Sequence, residues 1–228
     1  PIGELWCRTL PDTIGRMGTG KIIFLNGSSS AGKTTLAVML QQLLDEPYQH
    51  IALDQFRDGM PGRYRGLNSP AGTPGDSGLN VVPTQADGEL ITRIRFGEHG
   101  EKVLRGMRRA IAAFAREGNN IIVDDLLFKP EYLMDYAEAL YDLDAWLIGV
   151  RCSLEVVNER ERQRPGRFPG TATSHFHEVH AHGADYDLEV DTSSTTPREC
   201  AERIIARLSQ PPEVLKQLWL GSATQEAR

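Results

Sequence analysis

The sequence predicts an α/β fold in which helices cover both faces of a parallel β-sheet. First, a short apolar run passes into a Gly/Ser-rich loop and then a helical segment at residues 21–35. Second, further apolar runs of strand length alternate with segments of helical periodicity. Strands joined by crossover helices run parallel, so we expect one three-layered domain with a five-stranded sheet. The predicted strands are residues 22–25, 49–53, 120–123, 145–150 and 188–190.

Residues 21–35, KIIFLNGSSSAGKTT, contain a complete phosphate-binding motif. Gly27, Gly32, Lys33 and Thr34 occupy every fixed position of G-x-x-x-x-G-K-[ST]. The glycines let backbone N–H groups converge on phosphate oxygens, and the helix start adds its positive dipole end. Lys33 would reach the β- and γ-phosphates, and the Thr34 hydroxyl would be a ligand of Mg²⁺. We therefore expect a nucleotide along Gly27, Ser28, Ser29, Ser30, Ala31, Gly32, Lys33, Thr34 and Thr35.

Bulk composition argues against several classes of protein. The chain has 228 residues and a net charge of −6, which argues against a nucleic-acid backbone as its main partner. No stretch has the apolar length of a secretory signal or a membrane span. Cys7, Cys152 and Cys200 are too widely spaced for a disulfide framework or a metal pattern. We expect a cytoplasmic protein with no membrane partner, and a homo-oligomer is left open.

The predicted domain has three accessory parts. Residues 1–20 form an arm, residues 21–210 the domain, and residues 211–228 a tail whose apolar piece, VLKQLWL, packs on the domain. Residues 62–100 are rich in Gly, Pro, Asn, Asp and Ser, and we interpret them as a long irregular insertion that covers the substrate. A disordered insertion without a role is the alternative. Its arginines face either substrate or solvent.

Asp54 follows the second predicted strand, beside the phosphate-binding loop. Open parallel sheets bind ligands in the crevice at the carboxyl ends of their strands. Asp54 is therefore a candidate general base that also contacts the substrate. The alternative is that Asp54 caps the short helix that follows.

Asp124 and Asp125 end the third predicted strand, NIIVDD. An acid at this place commonly holds Mg²⁺ in enzymes with a phosphate-binding loop. Adjacent strand residues point to opposite faces, so only one of the two can face the metal. We assign Asp124 to the metal and Asp125 to the substrate, with a capping role as the alternative for Asp125.

Basic residues flank a Pro-Gly turn after the fourth strand. Arg164 and Arg167 fit a lid, residues 160–172, that brings guanidinium groups onto a transferring phosphate. Arg160 and Arg162 are interpreted as a solvated helix surface.

The histidines of HFHEVHAH have the wrong spacing for H-E-x-x-H, and no cysteine is near. We expect a polar helix and turn beside the cleft rather than a metal site.

Taken together, the chain resembles the chloramphenicol phosphotransferase family and its relatives, which are similar to shikimate and nucleoside monophosphate kinases. The resemblance rests on LNGSSSAGKT, LDQFRDGMP, GNNIIVDD, IGVRC, the arginines up to Arg167, and HGADYDLEVDTS through to Glu199. It covers residues 21 to about 208. Residues 62–100 look longer than their equivalent in the antibiotic-modifying enzyme, so the resemblance leaves the acceptor open.

The resemblance implies a P-loop kinase that uses ATP and Mg²⁺ at residues 27–34. It also implies Asp54 as the base that accepts the proton of an alcohol, and lid arginines at Arg164 and Arg167. Lys33 completes the catalytic set. We expect a small-molecule phosphotransferase similar to the chloramphenicol-modifying enzyme, with the acceptor and any role in antibiotic resistance left open. The alternatives are a kinase acting on a nucleotide or macromolecular hydroxyl, and a nucleotide-dependent switch without transfer activity.

Overall fold

The computed structural model of the chain describes residues 18–86, 88–164 and 168–226. Most of the predicted arm, and Arg167, lie outside the described residues. The strands, in chain order, are β1 (Ile22–Asn26), β2 (Tyr48–Ala52), β3 (Arg65–Leu67), β4 (Leu79–Ala86), β5 (Glu89–Phe96), β6 (Asn120–Asp125), β7 (Ala145–Arg151) and β8 (Leu188–Asp191). The helices are α1 (Lys33–Leu43), α2 (Leu53–Asp58), α3 (Pro74–Ser77), α4 (Glu98–Arg116), α5 (Pro130–Leu140), α6 (Leu154–Arg162), α7 (Thr171–Glu178), α8 (Pro197–Arg207) and α9 (Val214–Glu226).

The central sheet has five parallel strands in the order β2-β6-β1-β7-β8. Successive residues of β1 point to opposite faces, and both faces are covered. On one face, Phe24 packs with Ile111 of α4 and Tyr136 of α5. On the other face, Leu25 packs with Leu36 of α1. These side chains are fully buried. The predicted three-layered fold with a five-stranded parallel sheet is thus confirmed.

Local signals at helix ends agree with the structure. Thr196 accepts the Glu199 N–H, and Glu199 accepts the Thr196 N–H, which forms the capping box that begins α8. Gly118 ends α4 with a φ of 86°, a conformation that only glycine adopts readily.

The prediction for residues 62–100 is wrong in its secondary structure. This segment contains a second sheet, in which β3 pairs parallel with β4 and β4 pairs antiparallel with β5. Asn80 of β4 is 2% exposed, and its amide donates to the Ser69 carbonyl and accepts the Ser69 N–H. The hairpin signal was present in the sequence, because the Asp-Gly pair at residues 87 and 88 separates two strand-forming runs.

The C-terminal segment packs on the domain, as predicted for its apolar piece. Leu215 of α9 is 2% exposed in the core beside α5 and β7, and Trp219 stacks on Tyr141 with ring centroids 5.8 Å apart. Within the described ranges, no helix has both the length and the apolar character that crossing a bilayer requires.

Candidate active site

The phosphate-binding loop connects β1 to α1 with a backbone that its glycines permit. Gly32 has a φ of 89°, and a Cβ at Gly27 would lie 2.5 Å from the Val150 carbonyl oxygen. Ser30 also has a positive φ, of 62°, and its buried hydroxyl has no hydrogen-bond partner among the described residues. An incoming phosphate would satisfy such a hydroxyl. The loop therefore fits the nucleotide phosphates predicted from the motif.

Lys33, the first residue of α1, is folded over this loop. Its ammonium group donates to the carbonyl oxygens of Gly27, at 2.8 Å, and Ser28, at 3.1 Å. The residue is only 6% exposed. Burial and two carbonyl acceptors hold the positive charge within the loop, where phosphate oxygens would lie.

Asp124, at the end of β6, faces the loop. Its Oδ2 accepts a 2.8 Å hydrogen bond from the Thr34 hydroxyl, and its Oδ1 lies 3.6 Å from the Lys33 ammonium. The imidazole of His50 in β2 lies 3.7 Å from Oδ2. Burial alone would raise the pKa of Asp124, but Lys33, His50 and Thr34 outweigh burial and lower it to about 2. Asp124 is therefore a carboxylate at neutral pH.

Thr34 and Asp124 form a donor set suited to Mg²⁺, because the ion prefers hard oxygen ligands and needs few of them from the protein. Of the two acids, Asp124 is the one whose carboxylate faces Thr34 and the phosphate-binding loop.

The structure corrects the expectation that Asp125 contacts the substrate. Its side chain points to the opposite face of the sheet and is 2% exposed. The Tyr136 hydroxyl and the Leu126 N–H both donate to its carboxylate at 2.7 Å. Burial raises the pKa of Asp125 despite these donors. Its contacts are structural, between β6 and α5.

Asp54 lies in the first turn of α2, directly beyond β2, and lines the same cleft as the phosphate-binding loop. It is not the helix cap, because Ala52 holds that position and its N–H donates to the Gln55 side chain. Arg57, one turn later, donates to Asp54 from 2.8 Å and to Asp58 from 2.9 Å. The half-exposed Asp54 carboxylate is thus accessible and also oriented by a cation.

The cleft has a volume of about 240 Å³ and two chemically different walls. One wall is the phosphate-binding loop with Asp124. The other combines Asp54 and Arg57 with apolar side chains from the second sheet and from the segment after β6, namely Leu79, Ile94, Leu126 and Phe128. The segment at residues 62–100 therefore contributes a wall of the cleft, although in the form of strands rather than an irregular loop.

Arg164 lines this cleft and also a neighbouring one of about 470 Å³. Arg160 lies in the second cleft, and the interpretation of this residue as a solvated surface is wrong. Its guanidinium donates to the Thr192 carbonyl at 2.8 Å and to the Thr192 hydroxyl at 3.2 Å. Arg162, by contrast, is exposed and pairs with Glu159 of its own helix.

The histidines of HFHEVHAH make separate contacts in the structure. Within the described part of the chain, no group of three potential ligands is close enough to hold an ion. His175 is buried, borders the cleft and contacts Phe128 edge-on, with ring centroids 4.7 Å apart. His180 and His182 instead surround the Tyr186 hydroxyl, at 2.6 and 2.8 Å. The prediction of a polar helix and turn beside the cleft thus fits His175.

Several cleft residues were missed from the sequence, namely His50, Arg57, Phe128 and Thr192. Arg57 could have been found, because position i+3 on a helix lies beside Asp54. Thr192 could not, because its contact with Arg160 depends on how distant segments pack.

Comparison with known families gives an independent result. Residues 20–209 match the model of the family described as chloramphenicol phosphotransferase-like protein. A Mycobacterium tuberculosis (strain H37Rv) protein that bears the provisional name O-phosphotransferase is 34% identical over 190 residues, which are 82% of this chain and 82% of that protein.

Solved structures share the fold at low identity. The M. tuberculosis APS kinase CysC, in complex with AMPPNP and APS, has a TM-score of 0.57 at 16% identity, over 84% of this chain and 99% of that one. A sugar kinase from Janibacter sp. HTCC2649 has a TM-score of 0.57 at 19% identity, over 87% and 98%. Shikimate kinase from Aquifex aeolicus vf5 has a TM-score of 0.50 at 17% identity, over 82% of this chain and 96% of that one. The fold is that of the P-loop kinases.

Proposed function

Because the chain belongs to the chloramphenicol phosphotransferase-like family, we propose that it transfers the γ-phosphoryl group of ATP to a hydroxyl group of a small molecule. The observation that carries this proposal is that Asp54 and the phosphate-binding loop line one cleft. A base and a phosphoryl donor must meet across such a cleft for an alcohol to attack in line.

In this proposal the triphosphate binds to the amides of residues 27–34, with Lys33 on the β- and γ-phosphates. The buried, unsatisfied hydroxyl of Ser30 supports an anion at the loop. The nucleoside occupies the neighbouring cleft, where Arg160 and Thr192 contact each other beside the loop. Gly32 lines both clefts, so the bound triphosphate can extend from one cleft into the other.

Thr34 and Asp124 would hold Mg²⁺ in this enzyme. When bound, the ion neutralises charge on the phosphate oxygens. The Lys33 ammonium, 3.6 Å from Asp124, adds a fixed positive charge to the same region. Arg164, two residues beyond the end of α6, lines the cleft and is proposed to stabilise the transferring group. Arg167 keeps the same proposed role from the sequence.

Asp54 is the proposed base for the acceptor hydroxyl. The Asp54 carboxylate accepts the proton of the acceptor hydroxyl as the new phosphorus–oxygen bond forms and the bond from the γ-phosphorus to ADP breaks. Arg57 orients the carboxylate through their 2.8 Å ion pair. The apolar wall of Leu79, Ile94 and Phe128 and the small volume favour a compact acceptor over a macromolecule.

The same proposal assigns a small alcohol, rather than nucleic acid or membrane, as the partner. Cys152 and Cys200 are free and buried, which is compatible with a reducing cytoplasm.

A screen of hydroxyl-bearing metabolites and antibiotics with ATP and Mg²⁺, read by mass increase, tests the proposal. We expect phosphorylation by the wild type, and a loss of transfer of about 10²- to 10⁴-fold in Asp54→Asn with nucleotide affinity preserved. Asp58→Asn is the matched control, because Asp58 lies on the same helix and pairs with the same arginine but does not line the cleft. Unchanged transfer in Asp54→Asn would remove Asp54 from the mechanism.

A further inference from the structure

Hydrogen bonds connect the outer edge of β5 to the start of α7. The second sheet has the order β3-β4-β5, so β5 is an edge strand whose outward backbone groups need partners. Thr92, 2% exposed, provides the connection with three hydrogen bonds. Its N–H donates to the Gly170 carbonyl at 3.3 Å, its hydroxyl donates to the Pro169 carbonyl at 2.7 Å, and its carbonyl accepts the Ser174 hydroxyl at 2.6 Å.

The start of α7 is in turn bonded to α6. Glu161, 8% exposed, accepts the Gly170 N–H at 3.0 Å and the Ala172 N–H at 2.7 Å. These N–H groups lie in the first turn of α7, where the helix itself offers no acceptor. A buried carboxylate with two charge-assisted bonds holds its partners strongly.

Both ends of this chain of contacts reach the cleft. Thr92 and Ile94 are two residues apart on β5, so their side chains share a face, and Ile94 lines the acceptor wall. Glu161 is followed one turn later by Arg164, whose N–H donates to the Glu161 carbonyl at 3.0 Å. Arg164 lines both the cleft and the proposed nucleoside site. A series of hydrogen bonds, some buried and some partly buried, therefore joins the acceptor wall to Arg164 on the nucleotide side.

We propose that Thr92 and Glu161 are positioning residues that couple nucleotide binding to the acceptor wall: a nucleotide that engages Arg164 steadies the second sheet through Glu161, Gly170 and Thr92. This inference rests on the proposed function, because it takes the Arg164 side of the cleft as the nucleotide side. Coupling of this kind is reciprocal, so a bound acceptor raises nucleotide affinity by the same factor.

Hydrogen exchange measures this coupling without any acceptor. AMPPNP with Mg²⁺ is the probe, and exchange is followed in the peptide of residues 88–96. We expect the nucleotide to slow exchange there about fivefold or more in the wild type, at the lower limit of typical coupling between sites. In Thr92→Val, which removes the hydroxyl but keeps the size, we expect less than about a twofold effect while AMPPNP affinity stays within about twofold.

Three further variants make the result specific. Thr92→Ser restores the hydroxyl and should restore the response. Glu161→Gln replaces one acceptor oxygen by an amide that faces an N–H donor, so the response should be lost there too. Thr84→Val is the matched control in the same hairpin, because the buried Thr84 hydroxyl has no partner among the described residues, and it should respond like the wild type.

The outcomes separate the two proposals. If AMPPNP fails to bind the wild type, the proposed function fails. If AMPPNP binds but residues 88–96 do not respond in the wild type, or respond equally in Thr92→Val, the coupling is overturned while the proposed function stands. If Thr92→Val does not fold, Glu161→Gln decides the question by the same measurement: a lost response supports the coupling, and a wild-type response overturns it.

Discussion

The Thr34 hydroxyl donates a 2.8 Å hydrogen bond to Oδ2 of Asp124 and so joins the first turn of α1 to the end of β6. The hydroxyl oxygen of Thr34 is thereby placed beside a carboxylate that is ionised at neutral pH, since the pKa of Asp124 is lowered to about 2. This pair connects the nucleotide loop to the rest of the sheet.

Asp124→Asn tests the proposed metal position. We expect the increase in ATP affinity caused by Mg²⁺ to fall about 10- to 100-fold, because a neutral amide is a poor ligand for the ion. Calorimetric titration of ATP with Mg²⁺ and with EDTA measures the effect. Asp45→Asn, at an exposed position after α1, is the control and should keep the dependence on Mg²⁺. Equal dependence in both variants would contradict the assignment of Asp124.

Tyr136→Phe tests the structural role of Asp125. The variant removes a 2.7 Å donor from a fully buried carboxyl group, so we expect the free energy of unfolding to fall by about 1–3 kcal/mol. Urea denaturation measures this. Tyr141→Phe, at the end of the same helix and 43% exposed, should change stability by less than about 0.5 kcal/mol. A similar loss in both tyrosine variants would argue against the specific contact with Asp125.

His180 should make the protein sensitive to acid. Burial, together with the charges of Arg151 and His182, lowers the pKa of His180 from 6.5 to about 4. The unfolded chain therefore binds more protons than the folded protein between these two values, and stability falls as the pH decreases from about 6.5 towards 4. The contacts of Tyr186 explain why protonated His180 is disfavoured. The Tyr186 hydroxyl already accepts a hydrogen bond from Asn26 and contacts both His180 and His182, so it is poorly placed to accept from an additional N–H of a charged imidazole.

His180→Gln should make this dependence shallower by up to about 1 kcal/mol per pH unit, because one titrating group is removed. Urea midpoints from pH 7.5 to 5 measure the slope. His177→Gln is the control, since His177 is exposed on α7. The same slope in His180→Gln and the wild type would exclude this role for His180.

Leu215→Ala tests whether α9 belongs to the core. Leu215 is 2% exposed, so we expect a loss of about 2–5 kcal/mol from the cavity that forms. Leu220→Ala, on the same helix but 55% exposed, should cost less than about 0.5 kcal/mol. Thermal or urea unfolding distinguishes the two, and equal effects would show that α9 does not add to the core through Leu215.

Sequence reasoning succeeded where the signal is local. The phosphate-binding loop, the five core strands and the capping box of α8 each depend on a few consecutive residues, whose backbone preferences and apolar patterns can be read directly. It failed in residues 62–100, where composition suggested an irregular loop. Composition does not report which strands pair, as Arg65 does with Leu79, although the Asp-Gly pair at residues 87 and 88 was a usable signal for the hairpin of β4 and β5.

Asp124 and Asp125 show what the sequence determines and what only the tertiary structure determines. The chain itself determined that a phosphate-binding loop follows β1, that two acids end β6, and that only one acid can face the loop, since neighbouring residues of a strand alternate. Tertiary structure alone decided the surroundings of each acid, by bringing Tyr136 against one and Thr34 against the other. It also built the acceptor wall and the Thr92 and Glu161 contacts, because these depend on packing between segments that are remote in sequence.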